Sequence, residues 1–155
     1  MKWADEFCAK AKAAGLECDI ANRVNGWPET MIISGRRCYT KSMSYMNKDR
    51  LYFQGVDPKK PDEEGDYVIL CGGATGTLRD IFIIPCGNFF QTLVAGEAVN
   101  TYKPPKEYLQ FKFRIRDRDR DNKWIMAVQG RECPMLDVNR WRYSVKDAIE
   151  KLCGI

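Results

Sequence analysis

The chain has 155 residues, a length typical of one domain with its own hydrophobic core. Hydrophobic residues make up 45% of it and charged residues 30%, which excludes a disordered composition. No apolar run approaches the roughly 18 residues that cross a bilayer, and the acidic start does not resemble a secretory signal. We therefore predict a single cytoplasmic domain over residues 1–155. The net charge of +4 permits a nucleic-acid partner without requiring one.

The chain contains seven cysteines and no histidine. The cysteines are scattered without a C-x-x-C motif, so a zinc knuckle is not indicated, and their odd number argues against a complete disulfide framework. We expect most of them to be small buried hydrophobes. The absence of histidine excludes Ser-His and Cys-His nucleophile pairs. Catalysis would need carboxylates, lysine, tyrosine or a metal ion held by oxygen atoms.

The first half of the chain predicts one helix followed by several strands. Apolar residues recur at helical spacing until Gly15, which provides a stop signal. Ser34-Gly35 predicts a tight turn between two β-prone segments, and the polar segment 57–65 predicts an exposed loop. The predicted elements are a helix at 2–14 and strands at 16–21, 30–33, 37–41 and 50–56.

The second half alternates strands and helices. Residues 66–71 and 79–85 are nearly all apolar, as in strands covered on both faces, and Gly72 to Gly76 predicts the hairpin turn between them. The other predicted elements are helices at 88–99 and 138–152 and strands at 108–116 and 124–128. The whole pattern predicts an α/β or α+β domain, with a central mixed sheet of five or more strands flanked by N- and C-terminal helices.

The hairpin around Ser34-Gly35 carries two residues with catalytic potential. Glu29 stands before its first strand and Lys41 ends its second, so we expect both at one edge of the sheet. A carboxylate at this edge can hold Mg²⁺ through its oxygen atoms. A nearby lysine can orient the attacking water and offset charge on the scissile phosphate. The alternative is that both are solvated surface charges.

With Pro28-Glu29 and Tyr39-Thr40-Lys41, the sequence resembles the restriction-endonuclease-like family, whose signature is PD-(D/E)-x-K. The likeness continues in the strands at 66–70 and 80–85. It implies Mg²⁺-dependent hydrolysis of DNA, with Glu29, Tyr39 and Lys41 as catalytic residues. Tyr39 stands where the family has a second acid or glutamine, so Asp19 or Asp66 would join Glu29 at the metal. A domain of the same fold without catalysis is the alternative.

Basic residues form a second candidate feature. Arg114 and its neighbours alternate with apolar residues along one predicted strand, which suits phosphate contacts, whereas the aspartates after Arg116 weaken the positive field. An exposed, salt-bridged hairpin is the alternative. The nucleic-acid-binding candidates are Arg36, Arg37, Lys48, Lys112, Arg114 and Arg116.

Three function classes follow from these patterns. The first is a Mg²⁺-dependent endonuclease acting on DNA, with RNA as a possible substrate. The second is an inactive nucleic-acid-binding domain, and the third is a protein-interaction module. Because no separate recognition domain is evident, a homodimer or a partner that supplies specificity is compatible with all three.

Overall fold

A computed structural model describes residues 3–21, 30–44, 50–56, 67–95, 111–118, 123–128 and 135–154. Its helices are α1 (Trp3–Ala13), α2 (Cys86–Ala95) and α3 (Val145–Cys153), with a short 3-10 helix at Asn139–Trp141. Its strands are β1 (Cys18–Ala21), β2 (Thr30–Ile33), β3 (Arg36–Ser44), β4 (Arg50–Val56), β5 (Tyr67–Ala74), β6 (Thr77–Pro85), β7 (Phe111–Arg118), β8 (Lys123–Val128), β9 (Met135–Asp137) and β10 (Arg142–Tyr143).

The strands form two sheets. The first has six strands in the order β1-β2-β3-β5-β6-β10, and the second has four in the order β4-β7-β8-β9. All pairings are antiparallel except that of β3 with β5, so the six-stranded sheet is mixed. This α+β architecture with helices near both ends confirms the predicted fold class. The four-stranded sheet and β10 were not predicted.

The centre of the six-stranded sheet is the adjacent pair β5 and β6. Residues 68–73 of β5 and 80–84 of β6 are all buried, as their continuous apolar sequences predict. On one face, Ile69 and Ile81 pack in a cluster with Phe7 of α1 and Leu152 of α3. The predicted buried strand pair is confirmed as the core of the protein.

Helix α1 is fastened to this sheet through its first turn. The Trp3 indole donates a hydrogen bond to Ser44 Oγ at 3.0 Å, and the Ala4 amide donates one to Ser42 Oγ at 2.7 Å. The second bond supplies an acceptor for one of the amides that a helix start leaves unpaired. The Trp3 ring lies over Gly73, where a Cβ atom would come within 2.5 Å of it.

The two predicted hairpin turns are present. Ser34 and Gly35 have φ of 49° and 79°, and Thr75 and Gly76 have φ of 52° and 76°. Two consecutive residues with positive φ suit the twist of antiparallel strands. Gly73 belongs to β5, so the second turn is shorter than the predicted segment 72–76.

The predicted closing helix at 138–152 is wrong over its first seven residues. Trp141 lies in the 3-10 helix, β10 follows it, and α3 begins at Val145. The Ser144 hydroxyl accepts a hydrogen bond from the Asp147 amide at 3.2 Å and caps α3 there. Ala148 and Leu152 of α3 are buried, whereas Trp141 and Val145 are half-buried.

The other predicted boundaries are close to the observed ones. Helix α2 begins two residues before the predicted start at 88. The end of that predicted helix, beyond Ala95, lies outside the described residues, and so does the predicted loop at 57–65. Within the described ranges, no helix has both the length and the apolar character of a membrane span.

Candidate nucleic-acid interface

Strand β3 carries four of the predicted site residues. Arg37, Tyr39 and Lys41 are alternate residues and share one face of the sheet, whereas Arg36 lies on the opposite face with Cys38. Tyr39 is buried, Lys41 is half-buried and both arginines are exposed. The two arginines therefore cannot contact the same surface of a flat ligand.

The sequence predicts Lys41 at one edge of the sheet. In the structure its strand, β3, lies between β2 and β5. Strand β3 extends to Ser44, and the strand β5 pairs along it in parallel, with Lys41 beside Leu70. The physical reason is that the apolar segment 67–71 requires neighbours on both sides, and the exposed edge of the hairpin supplies one of them. Glu29, the predicted partner of Lys41, lies outside the described residues.

Asp19 is remote from Lys41. Its carboxylate forms an ion pair with Lys12 Nζ at 2.9 Å, and both side chains are largely exposed. The hydrogen bond to Asp19, together with its negative charge, raises the pKa of Lys12. Asp19 pairs with Ile32, which pairs with Arg37, so strand spacing and rise place Asp19 about 16 Å from Lys41. A metal ion bound by the Asp19 carboxylate would therefore be too far from Lys41 for the two residues to act in one site.

Three other predicted site residues lie outside the described residues. They are the predicted metal ligands Glu29 and Asp66 and the predicted phosphate contact Lys48. Among the residues that the structure does describe, no three acidic, cysteine or histidine side chains form a group able to hold a metal ion. The described part of the chain therefore does not assemble a Mg²⁺ site at Lys41. Mg²⁺ remains a prediction that depends on Glu29 and Asp66.

Asp80 is a buried carboxylate that sequence reasoning did not select. It is 5% exposed, and its Oδ1 accepts a hydrogen bond from Arg142 Nε at 2.9 Å. This ion pair joins β6 to β10, the last strand of the six-stranded sheet. Its position in the sheet indicates a structural role.

The four-stranded sheet concentrates basic positions on one face. Lys112, Arg114 and Arg116 are alternate residues of β7, and the register places Arg50 of β4 opposite Arg116. At the C-terminal end of β7, two residues after Arg116, Arg118 pairs with Lys123 of β8. Directly paired residues share a face of a sheet. We call this set the basic face: Arg50, Lys112, Arg114, Arg116, Arg118 and Lys123.

The register of the basic face opposes like charges. Arg50 pairs with Arg116, and Arg118 pairs with Lys123. The acidic position on this face in the described strands is Asp137, whose Oδ1 accepts a hydrogen bond from the Asn139 amide.

Sequence reasoning found only part of the basic face. It recognised the alternation along β7 but did not include Arg50 among the candidates. The signal that unites Arg50 with Arg116 is strand pairing, which is not local in sequence. The register also places Trp124 opposite Asp117, away from the basic face, whereas Tyr52 pairs with Arg114 and belongs to it.

A cation–π pair follows the edge strand β9 of this sheet. The Arg140 guanidinium lies 4.1 Å from the centroid of the Trp141 ring, within the 3-10 helix that follows β9.

Compared with known proteins, the chain matches no protein-family model, no curated protein and no solved structure.

Proposed function

We propose that this protein binds nucleic acid through the basic face of its four-stranded sheet. The observation that carries the proposal is the register, which brings six basic positions from three strands onto one face beside a single acidic position. A phosphate backbone is the ligand that offsets such a density of charge, because each neutralised phosphate releases condensed counterions. Tyr52, at a register position among the arginines, adds an aromatic group suited to a base.

The test is direct binding measured by fluorescence anisotropy with labelled DNA and RNA over a range of salt concentrations. The native chain should bind, with an affinity that falls steeply as salt rises. Arg114→Gln together with Arg116→Gln should weaken binding and flatten the salt dependence. Lys10→Gln on the exposed surface of α1 removes a charge elsewhere and serves as the matched control. Binding that is insensitive to salt, or equally lost in the control, would exclude the proposal and favour a protein partner.

A second candidate is the Mg²⁺-dependent endonuclease that the hairpin resemblance implies. The observation in its favour is that Lys41 shares a sheet face with Arg37, which suits a phosphate held near a lysine. Cleavage of supercoiled plasmid with Mg²⁺ or Mn²⁺ tests it, comparing the native chain with Glu29→Ala and Lys41→Ala. Metal-dependent nicking that is lost in both variants would support it, and an inert native chain that still binds would leave a binding domain.

We also propose that the protein works in a reducing compartment, with the cytoplasm as the specific expectation. None of the six cysteines of the described ranges forms a disulfide bond there, and five of them are buried. Free thiols are typical of proteins in reducing compartments. Fractionation of the cells that make the protein, with antibody detection, tests this expectation.

A further inference from the structure

The 3-10 helix that follows β9 carries a cation–π stack. The Arg140 guanidinium lies over the Trp141 ring at 4.1 Å, with Arg140 exposed and Trp141 half-exposed. Neither side chain belongs to the hydrophobic core. A guanidinium plane and an indole ring are both surfaces on which nucleic-acid bases stack.

The position of this stack links it to the basic face. The 3-10 helix begins two residues after Asp137, whose register position lies on the basic face at the edge strand β9. The Asp137 carboxylate accepts a hydrogen bond from the Asn139 amide, which fixes the start of the 3-10 helix against that strand. The helix also contacts β8, the neighbour of β9 in the same sheet. The helix also contacts β6 of the six-stranded sheet, so Arg140 and Trp141 lie where the edge of the four-stranded sheet meets the six-stranded sheet.

We propose that the Arg140–Trp141 pair is a stacking platform for an unpaired base, and that the nucleic acid bound by this protein is single-stranded. This inference rests on the proposed function. Inside a duplex both faces of each base are covered by its neighbours, so a stacking platform selects strands whose bases are free. The basic face supplies affinity that does not depend on sequence, and the stack supplies preference for the single strand.

The experiment compares a labelled oligothymidylate with a duplex of the same length, by fluorescence anisotropy at one fixed salt concentration. The native chain should bind the single strand more tightly. Trp141→Leu should weaken single-strand binding by roughly tenfold, as expected for one lost base stack, and leave duplex binding unchanged. Trp141→Phe should restore most of the affinity, because an aromatic ring is retained.

Two further variants separate stacking from charge and from misfolding. Arg140→Gln should weaken single-strand binding less than Trp141→Leu does, and Lys151→Gln on the exposed side of α3 should change neither affinity. The salt dependence of Trp141→Leu should equal that of the native chain, because no phosphate contact is removed.

The failures of the two proposals are distinguishable. Salt-sensitive binding with equal affinity for single strand and duplex would overturn the stacking inference and leave the proposed function intact. A loss of both affinities in Trp141→Leu, in parallel with a loss of folded structure by circular dichroism, would also overturn it, since Trp141 would then be structural. No binding of either nucleic acid by the native chain would overturn both proposals.

Discussion

The two sheets of this protein are built on opposite plans. In the six-stranded sheet, the central strand β5 is buried at every residue from Val68 to Gly73, and helices α1 and α3 pack on one face. In the four-stranded sheet, β7 alternates apolar and basic residues, and its register aligns basic positions from β4 and β8. The buried strands identify the sheet that stabilises the fold, and the register of the other sheet is the basis of the proposed binding of nucleic acid.

The difference also has an energetic side. Burial of β5 and β6 removes apolar surface from water, at about 25 cal/mol for each Å². The basic face instead places Arg50 at the register position opposite Arg116, and like charges at such positions disfavour strand pairing. Substitutions in the first sheet should therefore change folding, and substitutions in the basic face should change binding.

The largest effect is expected from shortening a side chain of the buried pair. Ile69→Ala removes a fully buried side chain from the main cluster and leaves a cavity, so we expect a loss of about 2–5 kcal/mol in the free energy of unfolding. Thr77→Ala, at the exposed start of β6, should stay within about 0.5 kcal/mol. Urea denaturation measures both. Equal effects at the two sites would contradict the assignment of Ile69 to the core that stabilises the fold.

A close approach between α1 and the six-stranded sheet predicts the next effect. In Gly73→Ala the new Cβ would come within 2.5 Å of the Trp3 ring, so the ring must shift, at a cost of about 1–3 kcal/mol in unfolding free energy. Gly87→Ala on α2 meets no atom within 4 Å and should be neutral or stabilising by about 0.5–1 kcal/mol. Thermal unfolding distinguishes them. A neutral Gly73→Ala would mean that α1 does not depend on this contact.

In the four-stranded sheet, removal of a like charge should raise stability. Arg50→Gln relieves the pairing with Arg116, and we expect a gain of about 0.2–1 kcal/mol in unfolding free energy at low salt. The gain should shrink as salt screens the two charges. Lys146→Gln on the exposed surface of α3 is the control. A loss of stability in Arg50→Gln at low salt would show that Arg50 stabilises the free protein.

The smallest effect concerns alkaline pH. Burial raises the pKa of the Cys71 thiol above its ordinary value of 9.0, and it also raises that of Cys18. Below pH 9 the thiols are protonated in both the folded and the unfolded chain, so their contribution to the free energy of unfolding does not change with pH. Above pH 9 the unfolded chain releases thiol protons that the folded chain retains, and the free energy of unfolding therefore falls. Cys71→Ala should reduce this slope, whereas the exposed Cys153→Ala should not. Denaturation between pH 8 and about pH 10 measures it. An identical slope in Cys71→Ala would contradict the prediction.

Much of the fold was accessible from local patterns. The apolar run at 66–71 predicted a buried strand, and Ser34-Gly35 predicted a hairpin because both signals lie within a few residues. The closing helix was extended too far because Trp141 stands at helical spacing from Val145, and that spacing outweighed Ser144, whose hydroxyl caps the helix. Strand β10 has two residues, too few for a periodic signal.

The candidate site was less accessible because it depends on pairing between distant strands. Arg114 and Arg116 were visible as an alternation within one strand. Arg50 joins them through the register of β4 with β7, and Asp19 is separated from Lys41 through the register of β1, β2 and β3. These pairings are determined by which apolar strands can bury each other, which a single sequence does not specify.

The most direct test of the central claim is the salt dependence of nucleic-acid binding across a charge scan. Single Gln substitutions at the six residues of the basic face are compared with Lys10→Gln, Arg37→Gln, Lys146→Gln and Lys151→Gln. If the basic face binds phosphate, its variants should each lower the slope of log affinity against log salt by up to about 1, and the four others should leave it unchanged. If the slope of log affinity against log salt is lowered by the four substitutions outside the basic face and not by those within it, the assignment of binding to the four-stranded sheet is contradicted.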